Sequence, residues 1–114
     1  MAFEHALSLA DLKVGSAACV QLQGEPICVV RVDLDTVKAV HNTCSHAQYD
    51  LHEGWVEDSA IECGLHGSTF DLDTGMPQSL PAVKPIPTYA VRIDGEDVLI
   101  DASTPTNDAP VPKH

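Results

Sequence analysis

The chain has 114 residues, which is enough for one domain with a single modest hydrophobic core. Its hydrophobic content of 44% excludes a disordered acidic segment, and with only 4% aromatic residues the core has to be built mainly from Val, Ile, Leu and Ala. The formal net charge of −11 excludes a nucleic-acid or anionic-membrane surface, because both would repel it, and favours transient docking to basic patches on partner proteins.

The sequence gives no sign of export or membrane insertion. No run of eighteen or more apolar residues is present, and the N-terminal M-A-F-E-H-A-L-S lacks the basic start and apolar run of a signal peptide. We therefore expect a cytoplasmic protein. Thiols are kept reduced in that compartment, so paired cysteines predict a metal site before a disulfide.

Short alternating or β-branched runs predict strands along the whole chain. They cover residues 4–14 (strand and turn), 17–22, 27–32, 37–41, 60–62, 69–72, 89–93 and 98–101. The segments Q23-G-E-P26 and D94-G-E96 predict hairpin turns. No helical period of ten or more residues is found. The pattern predicts an all-β fold, an antiparallel sandwich or small barrel.

Two segments lack strand patterns. Residues 80–87 are rich in proline, which excludes a helix and predicts a rigid extended loop. Residues 103–114, rich in Pro and Thr, are predicted to form a disordered tail.

Four residues in two loops are candidate metal ligands: Cys44, His46, Cys63 and His66, in C44-S-H46 and, after sixteen residues, C63-G-L-H66. Mixed thiolate and imidazole ligands suit zinc or an iron–sulfur cluster rather than calcium or magnesium. The Cys-His-Cys-His order and the absence of a following helix disfavour zinc. One Cys and one His from each loop fit a binuclear cluster with both cysteines on one iron and both histidines on the other.

These motifs, with L51-H-E-G54, F70-D-L-D-T-G75 and Pro81, resemble the Rieske [2Fe-2S] family over residues 4–101. The resemblance implies a Rieske domain over residues 1–102, with a cluster-binding subdomain inserted at about residues 42–82 into a β base. It also implies one [2Fe-2S] cluster bound by the four ligands above, with His46 and His66 at a partly exposed tip and the loop around Pro81 as a shield.

The resemblance also distinguishes between branches of the family. Respiratory and photosynthetic members carry a membrane anchor, an extra Cys in each loop and a Tyr that donates to a cysteine sulfur; here the corresponding positions hold Tyr49, Leu65 and Phe70. The missing Tyr donor predicts a reduction potential toward the lower part of the Rieske range. Only 48 residues follow His66, too few for the catalytic iron domain of an oxygenase.

The implied protein is a soluble, monomeric ferredoxin, an electron carrier and not an enzyme. It is expected to pass single electrons from an NAD(P)H-dependent flavin reductase to a terminal aromatic-ring-hydroxylating oxygenase. A Rieske carrier of another pathway, such as iron–sulfur cluster assembly, and a zinc-stabilised binding module are the alternatives.

The remaining polar and aromatic residues near the loops are predicted to be structural. Cys19 and Cys28 are expected to be buried free thiols facing each other across a hairpin, and His41 and His52 to be polar rim residues. Trp55 is expected to pack in the core, with a docking face as the alternative. The acidic run Asp50, Glu53, Glu57 and Asp58 is expected to be a solvated face that could steer a basic partner.

Overall fold

Nine strands arranged in two antiparallel sheets make up the part of the fold that the structure describes. The computed structural model describes residues 3–43, 50–57, 59–63, 69–78, 85–103 and 105–107. The strands are β1 (Glu4–Ser8), β2 (Ala17–Leu22), β3 (Glu25–Arg31), β4 (Val37–His41), β5 (Trp55–Glu57), β6 (Ala60–Glu62), β7 (Thr69–Asp71), β8 (Thr88–Asp94) and β9 (Asp97–Asp101). Single 3-10 turns lie at Leu9–Asp11 and Leu51–Glu53, and the part of the chain covered here contains no α-helix. The all-β prediction is confirmed; β5 was not predicted.

The larger sheet is curved into a nearly closed barrel. Its strand order is β1-β9-β8-β4-β3-β2. The two outer strands approach each other, and Gln23 beyond β2 donates from Nε2 to Glu4 Oε2 of β1 over 2.6 Å. The β2–β3 hairpin turns at Gln23 and Gly24, whose φ angles of 54° and 75° are those of the two-residue turn that suits the strand twist.

Two hydrophobic cores lie on opposite faces of β3, because alternate residues of a strand point to opposite sides. Ile27 and Val29 belong to the core inside the barrel, with Leu22, Val37, Ala39, Tyr89, Val98 and Ile100. Cys28 and Val30 belong to a second core outside the barrel, with Val40, Leu51, Ile61, Cys63, Phe70, Leu72 and Ile86. Complete burial of one large side chain such as Phe70 stabilises by about 1.5–3 kcal/mol. The second core therefore attaches the small sheet to the barrel.

The small sheet has the order β5-β6-β7. Its middle row, Val56, Ile61 and Phe70, faces the second core. Gly54 lets β5 start directly against β6, since a Cβ at this position would lie 1.8 Å from the Glu62 carbonyl oxygen. A short strand without a sequence pattern of its own forms because glycine permits this close approach.

The segment 105–107 lies against the barrel and the turn after β7. Thr106 N donates to Thr88 O over 2.7 Å. The Asn107 carboxamide donates to Thr74 O and Ile86 O, both at 2.9 Å, and accepts from Thr88 N at 3.3 Å. Part of the predicted tail is thus hydrogen-bonded to the domain, because one Asn side chain satisfies three backbone groups. The boundary at residue 102 and the subdomain limits 42–82 stay predictions.

Candidate metal centre

The second ligand loop is the connection of the β6–β7 hairpin. Glu62 and Thr69 form the last pair of that hairpin, and Cys63 follows Glu62 directly. The Cys63 side chain is 1% exposed, forms no disulfide and lies in the second core with Leu51, Ile61 and Phe70. The fold therefore places a buried thiol at the base of this loop.

The first ligand loop leaves β4 and returns at Asp50. A β-bridge pairs Thr43 with Asp50, and Leu51 N donates to Asn42 O over 2.7 Å, so the two ends of the loop are held together. Leu51 and Cys63 share the second core, which brings the ends of the two loops to the same place.

The structure describes one of the four predicted ligands, Cys63. Cys44, His46 and His66 lie outside the described residues, together with Tyr49, Leu65 and Pro81. In the described ranges, no group of three or more side chains is arranged to hold a metal ion.

Asn42 is a buried polar residue that was not predicted from the sequence. Its backbone N–H donates to Pro26 O, and its Oδ1 accepts from His52 N, both at 2.9 Å. Its Nδ2 lies 3.0 Å from His52 Nδ1. Asn42 thereby fixes the residues just before and just after the first loop. A polar residue directly after a buried strand was the only signal for it.

His41 is fully buried, so its predicted position on the polar rim is wrong. It continues the inward-facing side of β4, on which Val37 and Ala39 lie. Thr43 N donates to His41 Nδ1 over 3.2 Å, which leaves the ring proton on Nε2, 3.5 Å from Glu25 Oε2. His52 is half-buried beside Asn42, consistent with a rim position.

The end of the proline-rich segment is tied to both neighbouring regions. Residues 79–84 lie outside the described ranges, whereas Pro85, Ile86 and Pro87 form an irregular stretch without helix. Ile86 N donates to Gly75 O over 2.8 Å, and His41 N donates to Pro87 O over 2.9 Å. The stretch that leads out of the predicted shielding loop is therefore bonded to the strand that leads into the first ligand loop.

Trp55 is 61% exposed, so the prediction that it packs in the core is wrong. Asp50 and Glu53 of the acidic run are exposed, as predicted for a solvated face. The Glu57 side chain and Asp58 are not among the positions described.

Cys19 and Cys28 are directly opposite each other in the β2–β3 ladder, and both are free thiols, as predicted. Burial raises the pKa of the Cys28 thiol far above its ordinary value. Partial burial, and secondarily the Asp50 carboxylate, raise the pKa of the half-buried Cys19. Because the thiolate is the reactive form, these raised pKa values lower the reactivity of both thiols at neutral pH.

The donor chemistry fits an iron–sulfur cluster. Cys63 supplies a thiol that is buried and outside any disulfide, and apolar side chains surround it. A low-polarity shell of this kind limits solvent access to a metal centre.

Residues 4–90 match the Rieske [2Fe-2S] domain family. The chain is 40% identical to the ferredoxin component of biphenyl 2,3-dioxygenase from Rhodococcus jostii, covering 89% of this chain and 94% of that protein. It is 37% identical to the ferredoxin of carbazole 1,9a-dioxygenase from Nocardioides aromaticivorans IC177, with a TM-score of 0.83 over 93% of this chain and all of that one. A further match is a chain from the structure of the complex of reduced oxygenase and oxidized ferredoxin in carbazole 1,9a-dioxygenase. Its TM-score is also 0.83, at 30% identity, and the match covers 90% of this chain and 94% of that one.

The chain belongs to the Rieske [2Fe-2S] family, and this match implies one Rieske-type [2Fe-2S] cluster. The predicted base with an added small sheet matches the fold of the carbazole dioxygenase ferredoxin. No helix among the residues described is both long and apolar enough to cross a bilayer.

Proposed function

We propose that this protein is a ferredoxin that carries single electrons from an NAD(P)H-dependent flavin reductase to the terminal oxygenase of a ring-hydroxylating dioxygenase system. The observation that carries the proposal is the match to a dioxygenase ferredoxin component over 94% of that component, with both C-x-H and C-x-x-H motifs present. It is an electron-transfer component and not an enzyme. The predicted monomeric state and cytoplasmic address are part of the proposal.

The ligands in this proposal are the thiolates of Cys44 and Cys63 and the imidazoles of His46 and His66. When bound, a [2Fe-2S] cluster accepts and releases one electron, and imidazole ligation raises its reduction potential relative to an all-cysteine cluster. The chain's own residues hold the two ends of each ligand loop together. Asn42 and the Thr43–Asp50 bridge close the first loop, and the Glu62–Thr69 pair closes the second. A framework fixed in this way limits reorganisation when the charge changes.

The first experiment tests the ligands. The purified protein is expected to absorb visible light and, after reduction, to give the EPR signal of a [2Fe-2S] centre. Cys63→Ser should lose both, whereas Cys19→Ser, at a half-buried cysteine outside the ligand set, should retain them. A colourless protein that contains zinc would contradict the proposal and favour the binding module.

The second experiment tests the pathway. The protein is reconstituted with the reductase and oxygenase of the Rhodococcus jostii biphenyl system or of the Nocardioides carbazole system. Product formation should depend on added protein and on NAD(P)H. A cluster-bearing protein that supports neither system would favour a carrier of another pathway.

A further inference from the structure

The outer face of the small sheet carries an exposed aromatic residue beside the second ligand loop. In the ladder, Trp55 is opposite Glu62, and Glu62 is opposite Thr69. Directly opposite residues project from the same face of a sheet. The next row, Val56, Ile61 and Phe70, faces the second core, so the row of Trp55, Glu62 and Thr69 faces outward.

The outward row adjoins the metal centre. The second ligand loop connects Glu62 to Thr69, and these two residues form the pair at its base. Trp55 extends that row onto β5, at the edge of the sheet. Backbone distances across one strand pair and along one residue add to under roughly 10 Å between Trp55 and Cys63.

An indole in this position needs an explanation other than packing. Trp55 is 61% exposed, although it is the chain's one tryptophan and its neighbour Val56 packs against the second core. Tryptophan is enriched among the residues that carry most of the binding energy in protein interfaces. The Glu62 carboxylate on the same face, in a chain of net charge −11, calls for a partner of the opposite charge.

We propose that Trp55, with Glu62 beside it, is the docking surface for the terminal oxygenase, through an oxygenase face that is basic around an apolar recess. This inference rests on the proposed function. The complex of an oxygenase with a ferredoxin of the same fold makes the oxygenase, rather than the reductase, the partner to which the surface is assigned. The indole fills the recess, and the carboxylate orients the approach so that the Glu62–Thr69 end of the small sheet faces the oxygenase.

The chain offers a matched control at Leu34. Leu34 is 70% exposed, is flanked by Asp33 and Asp35, and lies in the turn between β3 and β4. This turn is at the end of β4 remote from the first ligand loop, roughly 14 Å away along the strand. Trp55→Ala and Leu34→Ala each remove an exposed apolar side chain near carboxylates, but only the first removes it beside a ligand loop.

The test is stopped-flow oxidation of the reduced protein by the Rhodococcus biphenyl or Nocardioides carbazole oxygenase, whichever the wild type reduces faster. Trp55→Ala should lower the second-order rate constant at least tenfold, and Leu34→Ala should leave it within twofold. The midpoint potential of Trp55→Ala should equal that of the wild type, which separates docking from driving force. Glu62→Gln should make the rate constant less sensitive to ionic strength.

A second measurement does not depend on a variant. Uniform 5-fluorotryptophan labelling gives one ¹⁹F resonance, because the chain has one tryptophan. Unlabelled oxygenase should shift or broaden that resonance, and neither the reductase nor an increase in the protein's own concentration should do so.

Four results would overturn the assignment. Equal rates for Trp55→Ala and wild type would overturn the surface while leaving the proposed function intact. A defect confined to reduction by the reductase, or a resonance that shifts on self-association alone, would assign the face to another occupant. A wild-type protein that cannot reduce either oxygenase would overturn the proposed function and this surface with it.

Discussion

Asn107 donates a hydrogen bond to the carbonyl oxygen of Ile86, 2.9 Å away and 21 positions earlier in the chain. The same amide nitrogen donates to Thr74 O at 2.9 Å, and Thr88 N donates to Asn107 Oδ1 at 3.3 Å. Thr74 and Ile86 lie on either side of residues 79–84, which include the predicted shielding loop. One side chain therefore joins the segments that precede and follow that loop.

Asn107→Ala is expected to lower the free energy of unfolding by about 2–3 kcal/mol, because it leaves partly buried backbone groups without their partner. Asn107→Asp keeps an acceptor for Thr88 N, but it places a negatively charged carboxylate against the carbonyl oxygens of Thr74 and Ile86. At neutral pH it should lower the free energy of unfolding by at least as much as Asn107→Ala. Urea unfolding of the cluster-bearing protein measures both. A loss below about 0.5 kcal/mol for Asn107→Ala would show that these bonds are replaced by water.

Gly75 and Gly24 have the same φ of +75° but different surroundings. A Cβ at Gly75 would lie 2.1 Å from Ile86 O and 2.7 Å from Asn107 Nδ2, whereas a Cβ at Gly24 would meet nothing within 4 Å. Gly24→Ala should lower the free energy of unfolding by about 1–2 kcal/mol from backbone strain alone. Gly75→Ala should lower it by about 1–3 kcal/mol more, since the backbone at Ile86 has to move. Equal losses in thermal or urea unfolding would contradict the close approach.

Phe70→Tyr should raise the reduction potential. Phe70 is fully buried in the same core as Cys63, and a donor to a ligand sulfur stabilises the reduced, more negative cluster. A hydrogen bond of about 1.4 kcal/mol corresponds to about 59 mV for one electron. Phe3→Tyr, at the chain's other phenylalanine, is the control and should leave the potential unchanged. Redox titration measures both reduction potentials. An unchanged or lower potential for Phe70→Tyr would refute the proposed hydrogen bond to a ligand sulfur.

Ionisation of Tyr89 should destabilise the fold at alkaline pH. Burial, and secondarily the Glu25 carboxylate, raise the pKa of Tyr89 from 10.0 to about 12. Between these values the unfolded chain releases the phenolic proton and the native protein retains it, so the free energy of unfolding falls as pH rises. The contribution is fully present below pH 10, and up to about 3 kcal/mol is lost by pH 12.

Tyr89→Phe tests this contribution, because it removes the ionisable group and keeps the ring. Urea unfolding between pH 9 and pH 12 should show a shallower decline for Tyr89→Phe than for the wild type. Cys28, whose thiol pKa is also raised, contributes equally to both curves and cancels in the comparison. Parallel curves would show that the phenol titrates alike in both states.

Local pattern was enough to predict the barrel strands, whereas the set of four metal ligands stays a prediction. Gln23-Gly24 marks a hairpin because both turn residues adopt positive φ, and the alternation in β3 and β4 gives their two buried faces. The ligand motifs could be recognised because metal ligation restricts residue type and spacing.

Features set by distant contacts could not be predicted. β5 forms because Gly54 approaches the Glu62 carbonyl, and the exposure of Trp55 follows from its register with β6. His41 is buried because it continues the inward face of β4 and meets Glu25 of β3. Asn107 bonds to groups 19 to 33 positions away, which no local pattern records. The burial, exposure and hydrogen bonding of these individual residues depend on pairing between segments that are distant in the sequence.

The position of β3 between the two cores has a thermodynamic consequence. Its even-numbered residues Cys28 and Val30 pack with the small sheet, and its odd-numbered residues Ile27 and Val29 fill the barrel. The barrel cannot open without removing one wall of the other core, so the two parts form a single cooperative unit. Calorimetry should show one unfolding transition that coincides with bleaching of the cluster, and metal loss would then report global rather than local unfolding.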